Sequence, residues 1–164
     1  MFGISRACWW AGAERVVLTF WVGGLWVAGY VVAPSLFATL DDRQLAGRLA
    51  GQIFQLVSYI GLVVGASLLL SVIVQKGGSW LRDNRARIVM LMLVFVALGV
   101  GVLVPMMQEL KLIGITPGSE QAAQFARLHG AASILHLINS LLGLWLVATG
   151  FRGAVKEQKQ ELSG

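Results

Sequence analysis

Charged residues punctuate this chain at intervals; they do not alternate with apolar ones. Four stretches hold no Asp, Glu, Lys or Arg: Val16 to Leu40, Leu49 to Gln75, Ile88 to Gln108 and Leu128 to Phe151. Each is longer than the ~20 residues that cross about 30 Å of hydrocarbon at about 1.5 Å per helical residue. A soluble domain seldom buries even one helix of this kind. The pattern therefore predicts transmembrane helices at approximately residues 16–38, 50–75, 88–108 and 128–151. The fold class is all-α: a polytopic membrane protein, one membrane domain over residues 1–164, built as a four-transmembrane-helix up-down bundle.

The connections carry their own signals. Asp41 followed by Gln44 has the form of a capping box and predicts that the second helix starts near Asp42, before it reaches hydrocarbon. Thr116-Pro117 reads as an N-cap with proline at the first helical position, so the fourth helix should include Glu120 to Arg127. Both extensions lie on the same side. Pro34 and Pro105 fall near the ends of the first and third helices, where proline is expected to terminate them. The charged tail beyond Arg152 is expected to fray.

Composition sharpens this picture. Hydrophobic residues make up 57% of the 164 and charged residues 13%, against about 45–50% and about 25% in soluble domains. The excess apolar surface must face lipid. A net charge of +5 raises the question of nucleic acid, but the basic residues cluster beside apolar runs as topology signals do, and nucleic acid is excluded as a partner. One side carries nine positive residues: Arg6, Arg15, Lys76, Arg82, Arg85, Arg87, Arg152, Lys156 and Lys159. The other carries four: Arg43, Arg48, Lys111 and Arg127. The positive-inside rule places both termini in the cytoplasm, and Trp9, Trp10, Trp80 and Trp145 fall near that same boundary. The first apolar run exceeds the 7–15 residues of a signal-peptide core, so it reads as a retained helix. Cys8 is the single cysteine, which excludes an intrachain disulfide and a CxxC motif.

Lipid tails are as apolar as leucine, so helices in a membrane associate through close packing and a few polar contacts. The second helix carries Gly47/Gly51 and Gly61/Gly65 in GxxxG spacing, with Gly51, Ser58 and Gly65 repeating every seven residues. Gly24/Ala28 and Ala97/Gly101 repeat the spacing on the first and third helices. These residues are candidates for helix packing within the chain or in a homodimer.

The candidate chemistry centres on His129 and His136, the two histidines, seven residues apart on the fourth helix. Ser133, Ser140 and Gly143 lie near their stripe and Asn139 borders it, so this face should point into the bundle. His136 sits roughly 12 Å below the outer surface, and Gln55, Ser58 and Tyr59 roughly 6–9 Å, counted by helical rise. Tyr30 also falls in the outer half. The expectation is a polar cluster of His136, Tyr59, Ser58, Gln55, Tyr30 and Asn139 that opens toward the outside. The two histidines are about 10.5 Å apart along the axis, too far to share one haem or one zinc ion. A thioether–imidazole copper(I) site of His129 with Met106 and Met107 is chemically sensible, although methionine in an apolar helix is commonly filler. No GxSxG, HExxH or Walker pattern occurs. No catalytic residue, metal site or cofactor is assigned.

Three segments resemble a known family: Trp21–Phe37 (WVGGLWVAGYVVAPSLF), Ala46–Phe54 (AGRLAGQIF) and Phe125–Asn139 (FARLHGAASILHLIN). An apolar helix ending in Ala-Pro-x-Leu-Phe, an Ala-Gly-rich start to the second helix and Phe-x-x-x-His in the fourth are similar to the domain-of-unknown-function 4149 family. Its eukaryotic relatives are named for transmembrane protein 205. The resemblance implies a small polytopic membrane protein, the short soluble tail resembles that of a bacterial inner-membrane protein, and the link of the eukaryotic relatives to platinum-drug resistance hints at transport or trafficking. Pro34, Phe37, Gly47, Gly51, Phe54, Phe125 and His129 match its pattern without an assigned role.

Three functional classes follow. The first is a structural or accessory membrane component, working in the lipid bilayer as a homodimer or with a membrane-protein partner. The second is a transport or efflux component for a small molecule or metal. The third is a metal- or haem-binding redox protein that uses His129 or His136.

Overall fold

The computed structural model describes the backbone of residues 6–161 and the side chains of residues 9–150. Cys8 and the tail charges Arg152, Lys156 and Lys159 lie outside the described side chains. The four membrane helices are α1 (Arg6–Val27, a π turn Ala28–Val32, then Ala33–Thr39), α2 (Arg43–Lys76), α3 (Asn84–Leu98, a π turn Gly99–Leu103, then Val104–Ile113) and α4 (Glu120–Glu161). Each is long and apolar enough to cross a membrane. A short 3₁₀ segment, Gly77–Arg82, joins α2 to α3.

Local chemistry sets the ends of these helices. Asp42, not Asp41, caps α2: its carboxylate accepts from the amides of Gln44 at 2.8 Å and Leu45 at 3.1 Å. The cap thus lies one residue later than the Asp41–Gln44 box predicts. Asp83 caps α3 in the same way, through Arg85 and Ala86. Ser119 caps α4 with its hydroxyl on the Ala122 amide at 3.1 Å. Thr116 and Pro117 instead form a turn before the helix, closed by the Ser119 amide on the Thr116 carbonyl. Gly118 takes φ +82 there, a type II turn geometry that favours glycine after proline. The tail, expected to fray from Arg152, continues as helix to Glu161.

Neither proline ends its helix. Pro34 and Pro105 each sit in the first turn of an α segment that follows a π turn. Proline lacks an amide hydrogen and clashes with the carbonyl four residues back. Here the residue before each proline reaches one carbonyl further: Ala33 N–H donates to the Ala28 carbonyl, and Val104 N–H to that of Gly99. The π turn widens the backbone just where the ring must fit. The helices therefore run on to Thr39 and Ile113.

The helices form an antiparallel ring in which α1 packs on α2 and α4, and α3 packs on α2 and α4. The start of α1, the end of α4 and the Gly77–Asp83 connection share one side, called here the terminal side. The loops 40–42 and 114–119 occupy the loop side. Between them the core holds Leu18, Trp21, Val22 and Leu25 from α1, Val89, Met92 and Val96 from α3, and Leu146 from α4.

Glycine notches admit the large side chains. A Cβ at Gly61 would meet the Trp21 ring, 3.0 Å from Cε2, and one at Gly65 would lie 2.6 Å from Leu93 Cδ2. A Cβ at Gly143 on α4 would lie 2.7 Å from Val22 Cγ2 and 3.2 Å from Met92 Cε. Gly61 and Gly65 thus pack within the chain. Gly47 makes an ordinary contact with Phe37, and Gly51 has nothing within 4 Å. Ala97 and Gly101 on α3 are exposed, and among the described residues a Cβ at Gly101 would meet nothing within 4 Å.

Gly61→Ala should destabilise the bundle by about 1–3 kcal/mol, because the rigid indole cannot yield. Gly51→Ala should be neutral or slightly stabilising. Thermal unfolding of both variants in mild detergent distinguishes the two classes of glycine.

Candidate functional site

His136 lies in the half of α4 that faces the π turn of α1. Its Nε2 is 3.2 Å from the Leu25 carbonyl oxygen; with a carbonyl as partner, this nitrogen is the donor. Gly29 makes the approach possible, since a Cβ there would lie against the imidazole, 3.0 Å from Cδ2. Phe54 of α2 meets the ring edge-on, with centroids 5.0 Å apart, and Tyr30 lies at 6.0 Å. A second bond runs the opposite way between the same helices: Trp26 Nε1 donates to the Ser140 carbonyl at 3.3 Å. The Ser140 hydroxyl donates back to the His136 carbonyl at 2.8 Å. Interhelical hydrogen bonds of this kind contribute about 0.6–2 kcal/mol each in a membrane.

The rest of the predicted cluster disperses. Tyr30 joins His136, and Asn139 is buried one turn along α4 with its side-chain oxygen lacking a partner among the described residues. Tyr59 is 51% exposed. The Gln55 amide donates to its hydroxyl at 3.5 Å, an exposed contact within α2. Ser58 is half-buried. Among the described residues, none of these three α2 side chains hydrogen-bonds to His136. α2 turns Phe54, Gly61 and Gly65 inward, which leaves Leu56, Tyr59, Ile60 and Val63 to the outside.

His129 is exposed on the loop side and stacks parallel to Phe125, with centroids 6.2 Å apart. The Lys111 ammonium stands 5.5 Å from the other ring of this row, Phe125. Met106 is exposed and Met107 half-buried. Among the described residues no three His, Cys, Asp or Glu side chains converge as metal ligands would.

The terminal side carries a site that the sequence reading missed. Glu14 of α1 accepts from the Ser71 hydroxyl and, at 2.9 Å, from the Gln75 amide, both on α2. Gln75 also donates to Ser71 at 2.9 Å. Beside this triad a cavity of about 210 Å³ is lined by Glu14, Arg15, Lys76, Asp83 and Arg85, over an apolar floor that includes Leu18, Val89 and Leu146. Lys76 and Asp83 form an ion pair. Desolvation raises the Asp83 pKa, but the Lys76 ammonium and the Arg85 and Ala86 amides outweigh it and hold the carboxyl below its ordinary value of 3.8. Arg85 lies over α4 at Gly150, where a Cβ would be 3.2 Å from Nη2. The signal in the sequence was present: Ser71 and Gln75 are spaced i, i+4, and Glu14 stands two residues before the first charge-free stretch.

A family model described as a domain of unknown function, DUF4149, matches residues 16–115. The chain belongs to this family. The DUF4149 match spans α1 from residue 16 through α3 and ends before α4, so both histidines lie beyond it, as do Glu14 and Arg15 at the other end. No curated protein and no solved structure matches the chain.

Two outcomes are expected. Gly29→Ala should lower thermal stability in detergent, and most of the loss should vanish in a His136→Ala background, because the added methyl then has no imidazole to displace. Asp83→Asn keeps a capping oxygen but loses the charge. Its folded-state pKa is lowered, so the stability from the carboxylate is present above the ordinary carboxyl range and lost as the pH falls through the depressed value. The melting temperatures of Asp83→Asn and the parent should differ at neutral pH and converge in acid.

Proposed function

We propose that this DUF4149 protein is a structural or accessory component of the bacterial inner membrane, with both termini in the cytoplasm. The observation that carries the reading is the His136–Leu25 hydrogen bond. The half-buried imidazole serves as a strut from α4 to α1, beside aromatic neighbours. Toward the terminal side the core holds Met92 and Leu146, both fully buried. A bundle braced in this way suits a protein that works through its outer surface, as a homodimer or with a membrane-protein partner. Gly51, open beside Gly47, supplies a small-residue face for such a contact. The asymmetry of nine against four positive residues supports the orientation, and the segments similar to the transmembrane protein 205 relatives support a broader kinship.

Purified protein in mild detergent is expected to carry no stoichiometric copper, iron or haem, and His136→Ala to lower the melting temperature without changing metal content. Near-stoichiometric metal or haem that disappears in His129→Ala or His136→Ala would overturn the accessory reading in favour of redox chemistry. Solute flux into vesicles containing the protein would overturn it in favour of transport. For orientation, alkaline phosphatase fused after Gly164 should be inactive, and fused at Gly118 active; the reverse pattern inverts the topology.

A further inference from the structure

The terminal-side cavity holds charge that helix contacts do not use up. Among the described residues its five charged side chains are Arg15, Lys76 and Arg85 against Glu14 and Asp83, three positive and two negative, a net +1. Lys76 and Asp83 neutralise each other. Glu14 is engaged by Ser71 and Gln75. Among the described residues Arg15 and Arg85 have no carboxylate within ion-pair reach, and Arg85 is propped over the backbone of α4 by the notch at Gly150. Below this charged rim the lining turns apolar, through Leu18, Leu69, Val89 and Leu146.

A positive rim above an apolar floor fits a ligand with one negative charge and a hydrocarbon tail. Guanidinium groups present planar pairs of N–H donors that match phosphate oxygens. A phosphodiester carries a single negative charge, which closes the net +1. The cavity, about 210 Å³, is smaller than the ~300–1,000 Å³ of sites that enclose a drug-sized molecule. It has room for a headgroup and the first methylenes, with the chains leaving toward lipid.

We propose that Arg15 and Arg85 bind a phosphate group in this cavity, and that its source is the phosphodiester of an anionic phospholipid. Glu14 and Asp83 set the selectivity: they cancel two of the three cations, so a monoanion is favoured over a more highly charged soluble phosphate.

The test uses the full chain, stripped of lipid in a non-ionic detergent, with thermal unfolding and native mass spectrometry as readouts. Three probes are compared: phosphatidylglycerol, zwitterionic phosphatidylcholine and inorganic phosphate. Phosphatidylglycerol is expected to raise the melting temperature and to remain bound one to one. The Arg15→Gln/Arg85→Gln double variant should bind it at least about tenfold more weakly, the scale of one lost charge-assisted hydrogen bond. Arg87→Gln should bind like the parent, because Arg87 is engaged by Asn84 and does not line the cavity. Inorganic phosphate matching phosphatidylglycerol would keep the arginine–phosphate pairing and overturn the lipid as its source. Equal binding of phosphatidylcholine, or undiminished binding by the double variant, would overturn the site itself. If the glutamine pair fails to elute as a single species, Arg15→Lys/Arg85→Lys replaces it. That pair keeps the charge but not the fork, and its binding should fall between parent and background; parent-level binding would refute recognition by the guanidinium fork.

Discussion

Backbone approach is the constraint on which this fold depends. Hydrocarbon offers helices no preference for one another over lipid, so contact has to come from fit. The fit here is asymmetric: bulky side chains on one helix enter gaps left by glycine on the next. Trp21 fills the gap at Gly61, Leu93 the one at Gly65, Val22 and Met92 the one at Gly143, and His136 the one at Gly29. These four contacts join α1 to α2, α2 to α3, α3 and α1 to α4, and α4 back to α1. The ring closes through them. A residue larger than glycine at any one would push apart two helices that share further neighbours, which is why small residues carry more of the architecture than their size suggests.

The polar groups divide by depth, and the physics differs between the two ends. His136, within the apolar span, is matched to a single backbone carbonyl and walled by Phe54 and Tyr30. A polar atom in hydrocarbon needs a partner and little else. At the terminal side Glu14, Arg15, Lys76, Asp83 and Arg85 crowd together, a density of charge that persists only where water or lipid headgroups share the cost of desolvation. The first arrangement fixes geometry; in the second, Arg15 and Arg85 have no carboxylate partner among the described residues.

Length without charge is a local property of a sequence, so the four spans and the all-α bundle could be read directly from it. The Gly61/Gly65 pair was legible as a contact, but its partners Trp21 and Leu93 were not, because spacing on one helix says nothing of what faces it. The inward face of α2 was hidden for the same reason. Tyr59 points outward, since that face is chosen by the glycines of α2 and not by its polar residues. Pro34 and Pro105 were misread because the penalty for proline presumes a rigid α-helical backbone. Glu14 carries no local sign of its partners: Ser71 and Gln75 stand on another helix, and the cations Arg15, Lys76 and Arg85 mark topology whether or not they meet.

The two π turns have a consequence for how the molecule keeps its phase. Each holds one residue more than the α-helical path requires, and one residue is about 100° of rotation. Beyond Val32 and beyond Leu103, the stripes of α1 and α3 are therefore turned by more than a quarter of a circle from where the preceding turns would aim them. A fixed periodicity drawn along either helix mixes two phases and is weakened. The Pro34 and Pro105 ends are short helices with headings of their own, spliced in line to longer ones, and a single-residue deletion within either π turn would re-aim a whole helix end without altering its composition.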